Sequence, residues 1–267
     1  VIETVTNDAD GNFAFTAIKY DQDDAGKTFT YTVKEVNDEQ PGISYDPAIY
    51  TMTVTVEDNG DGTLDVTADI DYTALNFVNT YEAEGDIQFS GVKTLTGKDL
   101  AGDDFSFELL NEDGTVIETV TNDADGNFAF TAIEYNQYDV GSYVYTVQEV
   151  NDEQSGVSYD PTIYTMAVTV EDNGDGTLDV TADVDHTALD FVNIYEAEGD
   201  IQFSGVKTLN GKDLVGDDFS FELLNEDGTV IETVTNDASG NFAFTAIEYN
   251  QYDVGSYVYT VQEVNDE

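Results

Sequence analysis

Apolar and polar residues alternate along this chain with a period of two rather than 3.6. The clearest stretches are IQFSGVKTL (87–95), DFSFELL (104–110), VIETV (116–120), NFAFTAI (127–133), SYVYTVQEV (142–150), YTMAVTV (164–170), TLDVTADV (177–184) and LDFVNIY (189–195). That period puts successive side chains on opposite faces of a strand. Turn-forming clusters separate the stretches: NEDG (111–114), NDADG (122–126) and EDNGDG (171–176). Eight short strands at this spacing predict an all-β sandwich. No amphipathic helical stripe appears, and at most a single turn is expected around YNQYD (135–139).

The pattern itself repeats. The stretch beginning at Asp86 returns from Asp200 with a period of 114, and 86–153 and 200–267 differ only at Thr96/Asn210, Ala101/Val215 and Asp125/Ser239. The chain opens partway through the same repeat, because VIETVTNDADGNFAF at 1–15 recurs from Val116. That offset is 115, whereas Glu35 and Glu149 are 114 apart, so the first copy carries one extra residue between Ile18 and Glu35. One complete unit is therefore expected at 83–196. It is flanked by a partial unit at 1–82 that lacks the opening strands and another at 197–267 that lacks the closing ones. A repeat array needs whole or capped repeats to bury its cores. The favoured expectation is thus a window on a longer array, and the alternative is partial units completing one another between chains. The joint YEAEGD leaves only a few residues between consecutive units, which predicts a stiff string of domains.

Alternation also assigns faces. Ile87, Phe89, Gly91, Lys93 and Leu95 share one face, Tyr143, Tyr145, Val147 and Glu149 another, and Leu189, Phe191, Asn193 and Tyr195 a third. A Lys, a Glu and an Asn on three strands thus take inward positions among aromatic and aliphatic side chains. The complete unit has only two lysines, Lys93 and Lys98. Burial drives an ammonium toward the neutral amine and a carboxylate toward the acid. A neutral amine beside a carboxamide polarised by that acid is a nucleophile facing an activated electrophile, which fixed strands hold close. The product would be a Lys–Asn isopeptide bond with loss of ammonia, the Glu passing protons and being regenerated. A buried Lys–Glu ion pair with Asn as its hydrogen-bonded third member fits the same faces.

The motifs GVKTL (91–95), YTVQEV (145–150), YDPTIYTMAVTV (159–170) followed by DGTLDV (175–180), and FVNIY (191–195) resemble the isopeptide-linkage repeat of streptococcal-type major pilins. That is a CnaB-like, Ig-like sandwich of Gram-positive pili and surface adhesins. The resemblance extends over the whole chain and implies tandem CnaB-like β-sandwich domains in a linear array. It implies that Lys93 bonds to Asn193 with Glu149 as catalyst. In the partial units it implies Glu35 with Asn79, awaiting a lysine, and Lys207 with Glu263, awaiting an asparagine. No sortase sorting signal and no pilin-type lysine motif for joining subunits are recognisable.

Composition narrows the function. Fifty-seven Asp and Glu against seven Lys and no Arg give a net charge of −50, which excludes a nucleic-acid binder. The absence of Cys excludes a disulfide framework and thiol chemistry. No apolar run approaches the roughly 18 residues of a membrane helix, and no signal peptide opens the sequence. At 40% hydrophobic and 12% aromatic residues, the chain is too apolar for a disordered acidic tract. EDNGDGTLD superficially resembles a calcium loop, but Ala182 stands where the bidentate Glu would be, and a hairpin turn is the better reading. His186 has no metal-ligand or nucleophile partner at useful spacing and is expected at the surface. Neither a metal nor another cofactor is expected, and no multiple-turnover enzyme. The sequence reads as a structural repeat of an extracellular, cell-surface fibre or stalk. Its expected partners are neighbouring repeats and other copies of the chain, with any host ligand bound elsewhere. A ligand-binding adhesin module or a calcium-stabilised surface domain is the alternative.

Overall fold

The computed structural model describes residues 1–265. The complete repeat contains eleven strands: β1 (Glu84–Ile87), β2 (Ser90–Thr96), β3 (Ser106–Leu110), β4 (Val116–Thr121), β5 (Asn127–Ala129), β6 (Ile133–Asn136), β7 (Gly141–Glu149), β8 (Val157–Ser158), β9 (Ile163–Asp172), β10 (Leu178–Ala182) and β11 (Leu189–Tyr195). A four-stranded sheet runs β5-β2-β11-β8 and a five-stranded sheet β10-β9-β7-β3-β4, with β6 and β1 forming a short ladder. These are tandem all-β domains. The first and last predicted stretches, β2 and β11, are parallel neighbours, whereas β7 pairs antiparallel with both β3 and β9.

Eleven strands replace the expected eight because two predicted stretches break and the two-residue β8 was not foreseen. IQFSGVKTL divides at Gln88–Phe89 and NFAFTAI at Phe130–Ala132. The breaks face each other: Phe130 N–H donates to Phe89 C=O at 2.9 Å, and the Gln88 side-chain amide donates to Phe130 C=O at 2.9 Å. The ladder is interrupted, yet the inward parity survives, since Ile87, Phe89, Phe128 and Phe130 are all buried.

Chain packing divides the molecule into two compact units. One comprises Asp86–Glu134, Gly141–Val170 and the chain from Val180. Its core is aromatic: Phe107 stacks on Phe128 at 3.9 Å, and Phe191 lies 5.2 Å from Phe107. Gly91 is required where β2 meets β11, because a Cβ there would lie 2.1 Å from the Leu189 carbonyl oxygen. In the third copy, strands Ser220–Leu224, Val230–Thr235 and Thr260–Glu263 form one sheet around a small cluster of Phe221, Leu223 and Phe244.

The other unit comprises Val1–Gly85, Tyr135–Val140 and Glu171–Asp179. Strands Thr28–Lys34, Ile49–Asp58 and Leu64–Ala68 form its sheet, and its buried apolar residues include Met52, Val54 and Val56. A single 3₁₀ turn, Gln22–Asp24, where Asp21 and Asp24 form a capping box, matches 137–139 of the complete repeat at the offset of 115. The extra residue of the first copy therefore falls after Gly26, at the start of the strand Thr28–Lys34. At 135–139 the expected turn is present, closed by Asp139 N–H to Asn136 C=O at 2.9 Å. Residues 1–20 contain no strand, although the same sequence forms β4 and β5 in the complete repeat. There β4 pairs with β3 and β5 with β2, whereas, among the described residues, 1–20 have no such strand pairing. Pairing, more than local propensity, decides whether this sequence is a strand.

Candidate functional site

Lys93 lies in β2 and Asn193 in β11, two positions apart in the parallel register, which pairs Lys93 with Phe191 and Leu95 with Asn193. Both side chains point into the core, with Lys93 2% and Asn193 0% exposed. Glu149 is the last residue of β7, opposite Phe107 in the facing sheet. Its Oε1 sits between the other two: Lys93 Nζ is 2.6 Å away, and Asn193 Nδ2 donates to it at 2.9 Å.

This trio is incompletely satisfied. Lys93 Nζ and Glu149 Oε1 form a close charge contact at 2.6 Å, and Glu149 Oε2 is buried with no partner among the described residues. Lys93 Nζ otherwise faces the Phe105 ring, 4.7 Å from its centroid. A buried ion pair is favourable only when its remaining protons and lone pairs are met, which this one does not achieve. Burial pushes the Lys93 ammonium below the usual lysine value, and the opposing pull of Glu149 does not restore it. Burial likewise pushes the Glu149 carboxyl up, against the pull of Lys93 and Asn193. Both shifts run toward a neutral amine beside a neutral acid, the protonation states a condensation requires.

One participant escaped sequence reasoning. The backbone N–H of Asp160 donates to Asn193 Oδ1 at 2.8 Å. The Asp160 carboxylate accepts from Val192 N–H at 2.8 Å, Thr162 N–H at 2.9 Å and the Thr162 hydroxyl at 2.5 Å. Burial alone would raise this carboxyl, but those hydrogen bonds outweigh it and hold Asp160 below the usual carboxylate value. The available signal was the Tyr-Asp-Pro turn at 159–161, where an Asp before Pro favours a side-chain-capped turn.

The first and third copies each show part of this arrangement. In the first, Asn79 Nδ2 donates to Glu35 Oε1 at 2.7 Å, and Asp46 N–H donates to Asn79 Oδ1 at 2.9 Å. In the third, Lys207 Nζ meets Glu263 Oε1 at 2.5 Å, with the two side chains 18% and 37% exposed.

Of the alternatives, the acidic hairpin has its carboxylates engaged in hydrogen bonds. Asp172 accepts from Gly174 N–H at 2.8 Å and also from the Tyr81 hydroxyl at 2.6 Å, and Asp175 from the Thr177 hydroxyl at 2.6 Å. Among the described residues no group of three or more His, Cys, Asp or Glu could hold a metal ion, and no helix is long and apolar enough to cross a membrane. His186, expected at the surface, is half-buried, with its ring 6.0 Å from Phe89 in an edge contact.

Fold and site together define tandem β-sandwich domains with a buried Lys–Glu–Asn centre. The chain belongs to the family FctA, described as the Spy0128-like isopeptide containing domain, which matches residues 2–82, 89–196 and 203–266. It is similar to the serine-aspartate repeat-containing protein D of Staphylococcus aureus strain Newman, 27% identical over 274 residues, covering 95% of this chain and 19% of that protein. The same protein of strain MW2 is also 27% identical and covered over 18% of its length. The chain thus spans about a fifth of these relatives. Among solved structures, it is similar to a major pilin protein of Streptococcus pyogenes, at TM-score 0.31 and 18% identity over 70% of this chain and 84% of that one. The Bacillus anthracis TIE protein matches at TM-score 0.29 and 16% identity, over 85% of this chain and 38% of that one.

Proposed function

We propose that the complete repeat closes itself with an isopeptide bond between Lys93 and Asn193, and that it serves as a covalently stapled structural repeat in an extracellular surface filament or adhesin stalk. The observation that carries this reading is the convergence of Lys93, Glu149 and Asn193 in one dry site from two facing sheets. In the reactive state the neutral Lys93 amine attacks Asn193 Cγ. The Nζ–Cγ bond forms while the carbonyl electrons move onto Oδ1. The Glu149 acid, its Oε1 in reach of both nitrogens, delivers its proton to Nδ2 and as the carboxylate takes the surplus proton from Nζ. The Cγ–Nδ2 bond then breaks, ammonia leaves, and Glu149 returns to its starting form. The reaction turns over once per domain.

Because β2 and β11 are adjacent and parallel, the staple would tie the entry strand directly to the exit strand. Tension on the two ends would load a covalent bond before it could shear the ladder. The closed loop of about 100 residues would also restrict the unfolded chain, stabilising the fold by roughly 4–5 kcal/mol in the chain-entropy view. Membership of a surface stalk, with neighbouring repeats and other copies as its partners, draws its support from the family and from the similarity to serine-aspartate repeat-containing protein D. The test is peptide mapping of the purified chain. A branched peptide joining Lys93 to Asn193 is expected, and separate unmodified Lys93 and Asn193 peptides would overturn the reading.

A further inference from the structure

The Asp160 amide touches the reacting carboxamide from the side opposite Glu149. Glu149 Oε1 contacts the Asn193 nitrogen, and the Asp160 N–H points at its oxygen, 2.8 Å away. We propose that Asp160 is a working part of the isopeptide centre: its backbone N–H is the oxyanion donor for Asn193, and its carboxylate is the positioning group that holds that N–H in place. The inference rests on the isopeptide reading above and adds to it the group that receives the developing charge.

Three observations support the assignment. The first is geometric. Attack on Asn193 Cγ drives charge onto Oδ1, where a fixed N–H donor in a dry site is most effective. Among the described hydrogen bonds, the Asp160 N–H is the one made to Oδ1, while both Lys93 and Asn193 are almost fully buried. The second is the clamp. One carboxylate oxygen accepts from Val192 N–H on β11, the residue before Asn193, and the other accepts from Thr162 N–H and hydroxyl beyond the turn. The Asp160 side chain thus ties its own turn to the strand bearing the electrophile and sets the distance between N–H and Oδ1. The preceding Tyr159 anchors the same turn, its ring 5.8 Å from Phe105 and its hydroxyl bonded to Asp152. The third is independence from lysine. In the first copy, which holds no lysine at its centre among the described residues, Asp46 N–H still donates to Asn79 Oδ1 at 2.9 Å. Asp46 likewise accepts from Val78 N–H at 2.8 Å and Ala48 N–H at 2.9 Å. The acceptor half is built in advance and is not drawn together by the nucleophile.

In the balanced step, the electron pair displaced from the C=O bond resides on Oδ1 under the Asp160 N–H while Nζ–Cγ forms. It returns as Cγ–Nδ2 breaks, and ammonia carries away the proton delivered by Glu149. The Asp160 carboxylate stays ionised throughout and transfers no proton.

The experiment follows ammonia loss by intact mass during timed cell-free synthesis of the full chain, across a pH series, for wild type, Asp160→Ala, Asp160→Asn and Thr162→Val. Asp160→Ala is expected to slow the loss by at least about tenfold, since a fixed oxyanion donor strongly lowers the barrier to acyl transfer. Thr162→Val, which removes one of three clamp contacts, is expected to slow it less. The charged groups acting on Lys93 are Glu149, Asp160 and Asp190, and Asp160 acts on Glu149 as well. Removing the Asp160 charge makes protonation of Lys93 and Glu149 less favourable, so Asp160→Asn should move both limbs of the rate–pH profile to lower pH. That shift reports only the nearness of the Asp160 charge. The positioning role is read in the plateau rate between the limbs, which a merely structural Asp160 would leave at the wild-type value in folded Asp160→Asn. Wild-type plateau rates in folded Asp160→Asn and Thr162→Val chains would overturn the inference even if Asp160→Ala fails to fold. Wild type that loses no ammonia would overturn the isopeptide reading itself, a result distinct from either.

Discussion

The complete repeat and the first copy share an electrophile and differ in what surrounds it. In both, a glutamate accepts from the asparagine nitrogen and a turn aspartate donates to its oxygen, at 2.9 and 2.8 Å in the complete repeat and 2.7 and 2.9 Å in the first copy. Only the complete repeat adds the strand that brings Lys93, and only there is the asparagine fully buried: Asn193 lies within the core, whereas Asn79 is exposed. The third copy shows the converse. Lys207 reaches Glu263, but both side chains retain exposure. Either half can therefore assemble alone. Desolvation of the whole, which drives the amine and the acid toward their neutral forms, requires the parallel pairing of β2 and β11.

The largest way to break this contrast is to remove the proton carrier. Glu149→Ala leaves Lys93 buried without its partner and without a route for protons, so the bond should not form. Stability should fall by roughly 4–5 kcal/mol from the lost loop restriction, with a further few kcal/mol from the unpaired lysine. Thermal unfolding of the variant beside wild type measures the sum. A variant that melts with wild type would contradict the account.

Next in size is the contact that lets the two strands approach. A methyl group at position 91 would collide with the Leu189 carbonyl, so Gly91→Ala should push β2 away from β11. It is expected to cost about 1–3 kcal/mol and to leave a measurable unbonded fraction in the mass spectrum. A fully bonded protein with unchanged stability would show that the approach is less tight than the structure has it.

A smaller effect concerns pH and is read in the unbonded Asn193→Ala variant. The Glu149 carboxyl is raised in the folded state, so its contribution is present below the unfolded value and lost as pH climbs through the folded one. The Lys93 ammonium is lowered, so its contribution is present above the unfolded lysine value and lost as pH falls through the folded one. The variant should therefore be least stable between those two transitions and gain stability on either side. Chemical denaturation across pH would show the trough, and a flat profile would mean that the pair is solvated.

The smallest expected effect is that of calcium removal. Asp172 and Asp175 already cap their own hairpin, so a chelator should leave the melting temperature of the chain within error. A marked drop would restore the calcium-stabilised alternative.

The strands and the inward Lys, Glu and Asn were legible because a period of two sorts side chains by face whatever the partners are. Asp160 was not, since it works through a backbone N–H in a turn, where alternation assigns no face. Its carboxylate also looked like one more acid among 57. The breaks at Gln88–Phe89 and Phe130–Ala132 were hidden because inward parity continues through them. The strandless 1–20 segment was misleading for the opposite reason: its pattern is intact, but among the described residues it has no strand pairing of the kind that β3 and β2 supply in the complete repeat. Face is a local property of sequence, whereas pairing is a property of what lies beside it.

The central claim is that bonding needs the complete desolvated trio and not merely its halves. Intact mass of the whole chain tests it most directly. One ammonia should be missing, attributable to Lys93 and Asn193, and Glu149→Ala should restore the full mass. A chain at full mass, or one whose missing ammonia maps to Lys207 or Asn79, would contradict it.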